Sequence, residues 1–194
     1  MNEEINKIME IPGNTKGAVI LADLEYIRRK AGQESLDKIE EALAKLGHPI
    51  DFKSIRPFEE YKEAHIVSVY VLLRDMLGWS EEDIEKMGED SAKISSVVRI
   101  FVKFVPFSKI VKEGSRYWSQ HFGFGFLEVE SNEVEKSLKV MVKGYNFHPL
   151  ACACHRGYFR TMAHFLINGK DIDLKEVKCT HRGDSHHEYL ITWK

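Results

Sequence analysis

The hydrophobic period of this 194-residue chain changes once, near Phe122, and that change fixes its fold class. Before Phe122 the apolar residues recur at helical spacing, with Leu36, Ile39, Leu43 and Leu46 on one stripe and Tyr61, Ala64, Val67 and Val71 on another. After it they alternate: in SLKVMVKGY, Leu138, Val140 and Val142 face one way and Lys139 and Lys143 the other. A chain that is mostly helical for two thirds and then alternates reads as α+β. It is expected to fold as a single domain, with an antiparallel sheet of about four strands packed against the helical part.

The elements follow from local signals. Residues 1–14 read as a polar leader, and the domain is expected to span 15–194. Ala18 to Leu21 reads as a short strand running into a helix that stops at Gly32, and Ser35 opens a second helix ended by Gly47-His48-Pro49. Pro57 is expected to start a longer helix reaching Gly78. Ser80 and Asp83 mark a further start, with helix continuing to His121 but broken at Pro106 and Gly114. FGFGFLEVE and SLKVMVKGY form an antiparallel pair turning near Ser131-Asn132. A helix from Pro149 to about Leu166 precedes two last strands, Ile172 to Cys179 and His187 to Trp193, joined across HRGDS.

Composition narrows the function. A formal charge of −2 supplies no general pull toward phosphate backbones, so direct nucleic-acid binding is not expected. No apolar run approaches the roughly twenty residues that span a bilayer. The start, MNEEINKIMEIPG, lacks the basic and apolar segments of a signal peptide, so a cytoplasmic location is expected. In a reducing compartment, three cysteines near histidines favour metal or redox chemistry over a disulfide framework, with a Cys152–Cys179 disulfide as the plainer rival.

The candidate donors lie in ACACHRGY and KEVKCTHRGDSHHEY. His187 shares strand parity with Tyr189, Ile191 and Trp193, which reads as the buried face, and is preferred to His186. Glu176 and Cys179 are three apart, so on a regular strand they point to opposite faces and could meet only through a bulge or a strand end. Cys152 and Cys154 lie about 200° apart on a helix, so one of them must be chosen. Three protein ligands plus water would permit hydrolytic chemistry with Glu176 as base, whereas four would make a closed site.

These residues resemble the 4-vinyl reductase domain family. It includes the sensory domains of phenol- and xylene-responsive transcription activators, stand-alone archaeal and bacterial proteins, and a protein linked to bacteriochlorophyll vinyl reduction. Its hallmark is matched by Cys152 five residues before Gly157-Tyr158, by Glu176-Val177-Lys178-Cys179, by the Gly183-Asp184 turn, and by His187 where a final cysteine stands in the family. The resemblance implies Cys152, Glu176, Cys179 and His187 as ligands of a structural zinc, with residues 148–194 as the metal-binding part, and it selects Cys152 over Cys154. It further implies an apolar pocket for a hydrophobic or aromatic small molecule, with Trp118, His121, Tyr145 and Tyr158 among its contacts, in a homodimer. The wider superfamily holds haem nitric-oxide sensors and a vesicle-tethering subunit. The sensors' Tyr-x-Ser-x-Arg haem motif is met here by Tyr117, Ser119 and then His121, and losing the arginine removes a bidentate grip on carboxylates, so haem is not expected.

The expected function is therefore a small-molecule-binding, zinc-stabilised sensor module. Without a DNA-binding helix pair or a phosphate loop, its output would pass through a partner protein. Two rivals are an enzyme acting on tetrapyrroles and a non-catalytic interaction module of the vesicle-tethering type. For the enzyme, GFGF at 123–126 lacks the spacing of a dinucleotide loop.

Overall fold

The computed structural model describes residues 2–94, 107–167 and 171–194. In chain order the elements are α1 (Asn2–Met9), β1 (Asn14–Lys16), α2 (Gly17–Ala31), α3 (Gln33–Lys45), β2 (Glu60–Lys62), α4 (Glu63–Leu77) and α5 (Glu81–Ile94). After the gap come α6 (Phe107–His121), β3 (Phe126–Asn132), β4 (Ser137–Lys143), α7 (Pro149–Leu166), β5 (Ile172–Lys178) and β6 (His187–Trp193). The architecture is α+β, with helices first and a four-stranded antiparallel sheet of order β3-β4-β6-β5 last. No described helix is long and apolar enough to cross a membrane.

The sheet keeps the alternation read in the sequence. Leu127, Val142 and His187 stand opposite one another across three strands, as do Val129, Val140, Tyr189 and Glu176 across four. Residues directly opposite share a face, so His187 and Glu176 lie on the side lined by Val140, Val142 and Tyr189, all of them buried. The helices cover that side.

The helical half departs from the sequence reading in four places. Residues 2–9 form α1, and Ile5, Ile8 and Met9 are buried in the core. Ala18 to Leu21 is helical rather than extended, because the loop ahead of β2 receives the first amides of α2: Gly17 N–H donates to Glu59 O (2.9 Å) and Ala18 N–H to Pro57 O (3.0 Å). A Cβ on Gly17 would stand 2.1 Å from the Arg56 carbonyl oxygen, so glycine permits this approach. Pro57 thus serves the start of α2, and the longer helix begins later, at Glu63. Gly114 does not break α6, since its missing Cβ lets the helix lie against Leu127 and Val129 of β3. The expected break at Pro106 and the aromatic residues Phe101 and Phe104 lie outside the described residues.

α4 is the central helix, buried on nearly every side from Glu63 to Leu73. It ends at Gly78 in the left-handed conformation, with Gly78 N–H on Arg74 O (3.1 Å) and Trp79 N–H on Leu73 O (3.2 Å). α7 starts with Pro149 behind His148, whose Nδ1 accepts from Leu150 N–H (3.1 Å). α7 crosses α5 at two glycines: a Cβ on Gly88 would lie 2.0 Å from Cys154 O, and one on Gly157 would lie 1.9 Å from Glu85 O.

Candidate functional site

Cys152 stands in the first turn of α7, Glu176 and Cys179 lie along and just after β5, and His187 opens β6. Their donor atoms all fall within 4.8 Å of one another. Cys152 Sγ is 3.9 Å from Cys179 Sγ and 3.6 Å from His187 Nδ1, and Glu176 Oε1 is 3.4 Å from that same Nδ1. The strand geometry that would separate Glu176 from Cys179 is relieved by a register shift between Glu176 and Lys178. Cys154 turns away, with its sulfur 3.7 Å from the Tyr70 hydroxyl, and His186 turns toward Glu188 (3.3 Å).

The surrounding backbone prepares the donors. Cys179 N–H donates to Asp184 Oδ2 (2.8 Å), and Gly183 takes a positive φ of 93° to close the turn after it. His187 Nε2 lies 2.8 Å from Tyr145 O, an atom that can only accept, so Nε2 carries the ring proton. Nδ1 then keeps its lone pair and directs it at the sulfur of Cys152 and the carboxylate of Glu176. A histidine whose second nitrogen is held by a carbonyl is the arrangement that metal-binding imidazoles use. Burial works against an ionised Glu176, but the guanidinium groups of Arg182 and Arg156 help hold its carboxyl below the usual range. Burial, with Glu176 and Cys179 close by, pushes the Cys152 thiol well up, so a cation is what would make it a thiolate.

Beside this donor set lies a cluster of contacting aromatic rings from α6, α7 and the segments around the sheet. Trp118 stacks on Phe122 with ring centroids 4.2 Å apart and meets Tyr145 edge-on at 6.2 Å. Tyr145 in turn touches Phe124 (5.6 Å), Phe147 (5.1 Å) and His155 (4.7 Å). Of the four expected pocket residues, Trp118 and Tyr145 are brought together. His121 turns its Nδ1 onto Tyr117 O of its own helix (3.0 Å), and Tyr158 stands edge-on to Phe159 and beside Cys154.

Two residues outside the expected site set belong here. His155 Nδ1 and the Tyr189 hydroxyl are buried without a hydrogen-bond partner among the described residues. Burial, then the nearness of His187, brings His155 down to about 3, so its imidazole is neutral. Helical spacing was the available signal, since His155 lies three residues after Cys152, and Tyr189 lies two after His187 on the same strand face.

A helical N-terminal part leading into a four-stranded antiparallel sheet is the fold that this chain shares with H-NOX domains. It is similar to an H-NOX protein from S. oneidensis in its Fe(II)NO ligation state, with a TM-score of 0.69 at 14% identity over 92% of this chain and 99% of that one. It is also similar to an oxygen-binding H-NOX domain related to soluble guanylate cyclases, with a TM-score of 0.67 at 13% identity over 92% and 95%. A third similar structure, solved in probing haem distortion in the H-NOX family, gives 0.66 at 14% identity over 92% and 95%. No family model matches the sequence. No curated protein matches it either.

These matches correct the cofactor expectation, which was structural zinc without haem. The solved structures of this fold are described by Fe(II) ligation states and by the distortion of their haem. A fold that carries haem in those proteins removes the ground for setting haem aside, and it gives none for choosing zinc. Tested against haem, the described residues offer one matching feature, the neutral and unpartnered His155 nitrogen enclosed by Trp118, Tyr145, Phe159 and Tyr189. The ring of His121, where the haem motif has its arginine, is engaged with its own helix.

Proposed function

We propose that this chain is a ligand-responsive sensor module, a single domain over 15–194 with α1 docked on it. In this reading a metal ion held by Cys152, Glu176, Cys179 and His187 pins the β5–β6 hairpin to α7, and a compartment among the adjoining aromatic rings receives a hydrophobic or aromatic small molecule. The observation that carries it is the convergence of four donors from three elements within 4.8 Å, with the His187 tautomer already set for coordination. Two thiolates, an imidazole and a carboxylate suit a transition-metal ion better than calcium or magnesium, and four protein donors leave no open position for catalysis. Trp118 and Tyr145 wall the compartment, with His121 and Tyr158 at its margins. The unpartnered His155 nitrogen and Tyr189 hydroxyl are polar groups that a ligand would satisfy. A homodimer passing its signal to a partner protein follows from the same reading.

The test is elemental analysis of the purified protein joined to thermal melting with and without a chelator. Stoichiometric transition metal is expected, with a chelator lowering the melting temperature of the wild type but not of Cys179→Ala. Metal well below stoichiometry and melting indifferent to chelator would sink the metal centre.

The His155 nitrogen also favours a second reading, in which it would be the residue that holds a haem. Haem, when bound, would supply an iron centre for a diatomic gas, and His155 would hold it. Titration with haemin would then give a sharp Soret band that His155→Ala abolishes, and unchanged spectra in the two proteins would discard it.

A further inference from the structure

Among the described residues, the buried carboxyl of Glu63 has no cation to answer it. Glu63 opens α4, is 3% exposed, and accepts a hydrogen bond on Oε1 from the Tyr145 hydroxyl (2.7 Å). Its other oxygen, Oε2, is buried with no hydrogen-bond partner among the described residues. Asp23, also buried, lies near enough to act on it, yet both Asp23 oxygens are satisfied, one by Ser91 Oγ and one by the Tyr70 hydroxyl, each at 2.5 Å. Neither Asp23 nor Glu63 takes part in an ion pair among the described residues, whereas the partly buried Glu176 faces two arginines. Burial accordingly raises Glu63 to about 7 and Asp23 to about 6.

The carboxyl adjoins the aromatic cluster, because the tyrosine bonded to its first oxygen is the ring that Trp118, Phe124, Phe147 and His155 surround. A carboxylate joined to aromatic faces is the donor set that recognises organic ammonium groups, the rings through their negative faces and the carboxylate through its charge. From this geometry we infer that Glu63 receives the ammonium group of an organic amine, and that the ligand of the compartment is an aromatic or alkyl amine. The inference rests on the compartment reading above and gives it a substrate class. A proton is the other occupant that Oε2 admits: Thr15, whose own hydroxyl donates to His121 O (3.3 Å), could accept it.

Calorimetry on the full chain with phenethylamine and its neutral counterpart phenethyl alcohol separates these cases. The wild type is expected to bind the amine at least about tenfold more tightly, and Glu63→Gln to lose that preference while keeping its affinity for the alcohol. The infrared band of a protonated carboxyl, present in the wild type and absent in Glu63→Gln, should vanish when the amine binds. Equal affinity for the two probes, or a preference that survives in Glu63→Gln, overturns the amine and leaves the compartment standing. If neither probe binds, the compartment reading fails and the amine with it. Should Glu63→Gln not fold, the wild-type band decides, since its persistence with amine bound overturns the proposal.

Discussion

Two buried polar clusters lean on opposite sides of the same helix, and they are built on opposite principles. Cys152 on α7 faces Cys179, Glu176 and His187, a set ringed by Arg156 and Arg182; Cys154, two residues on, faces the Tyr70 hydroxyl that bonds Asp23, in a set with no cation among the described residues. The same residue type behaves accordingly, with Glu176 held below its ordinary pKa and Glu63 and Asp23 lifted above theirs. Burial penalises charge in both places, and the reach of a guanidinium decides the outcome. One cluster thus keeps its carboxyl below the usual range beside two guanidinium groups. The other lifts its acids toward neutral pH.

Breaking the shared support is the largest expected effect. Gly157 lets α7 lie on α5, and a Cβ there would meet Glu85 O at 1.9 Å and Glu89 N at 2.9 Å, both backbone atoms that cannot yield without parting the helices. Gly157→Ala should cost about 3 kcal/mol or more and lower the melting temperature by roughly 6–12 °C. It should disturb both clusters, since Arg156 holds Glu85 as well as Glu176. Thermal melting with a chelator series checks this, and full stability in Gly157→Ala would show that the crossing is not what the two clusters share.

The acid cluster has its own signature in pH. In the unfolded chain Glu63 titrates near 4.5, and in the fold its pKa is raised to about 7, first by burial and then by the charge of Asp23, against the hydrogen bond from Tyr145. Below 4.5 both states hold the proton and no penalty exists. As pH rises from there the unfolded state ionises first, so stability falls until about pH 7 and then levels. The loss from Glu63 is about 3 kcal/mol, with Asp23 adding in the same direction under the influence of Ser91, Tyr70 and Asp90. Chemical denaturation of Glu63→Gln across this range should show about half of the slope gone, with the rest left to Asp23. A wild type equally stable at both ends would mean that the carboxyl has found a cation.

The two clusters also differ in how far the sequence discloses them. The donor cluster is legible because strand parity separates His187 from His186, helical spacing sets Cys152 against Cys154, and the three-residue step from Glu176 to Cys179 demands the irregularity found at Glu176/Lys178. Its residues also speak a chemistry of their own. Asp23 and Glu63 are silent, because a carboxylate on a helix reads as solvated, and only the tertiary fold brings Tyr70, Ser91 and Tyr145 to them. The same limit hides α1, where three buried apolar residues stand in a polar run, and misreads Ala18 to Leu21, a four-residue apolar run that fits strand and helix alike. The bond from His121 to Tyr117 O in the preceding turn of α6 is equally silent in the sequence.

A smaller effect of the opposite sign tests whether counter-cations set the rule. Glu4 on α1 is brought down to about 2, chiefly by its hydrogen bonds with Arg74, and it also meets His148, the residue that caps α7 ahead of Cys152. A lowered carboxyl stabilises the fold above its unfolded value of 4.5, and that support drains away as pH falls toward 2. Glu4 and Arg74 are each about a third exposed, so solvent screening leaves about 1 kcal/mol of the nominal effect. Glu4→Gln should therefore be weaker than the wild type by that amount at neutral pH, and the two should converge by pH 2. Its pH slope thus runs against that of Glu63→Gln, with acid weakening the paired carboxyl and base the unpaired one. If Glu4→Gln and Glu63→Gln instead shifted stability with pH in the same direction, the presence of a guanidinium would not be what distinguishes the two clusters.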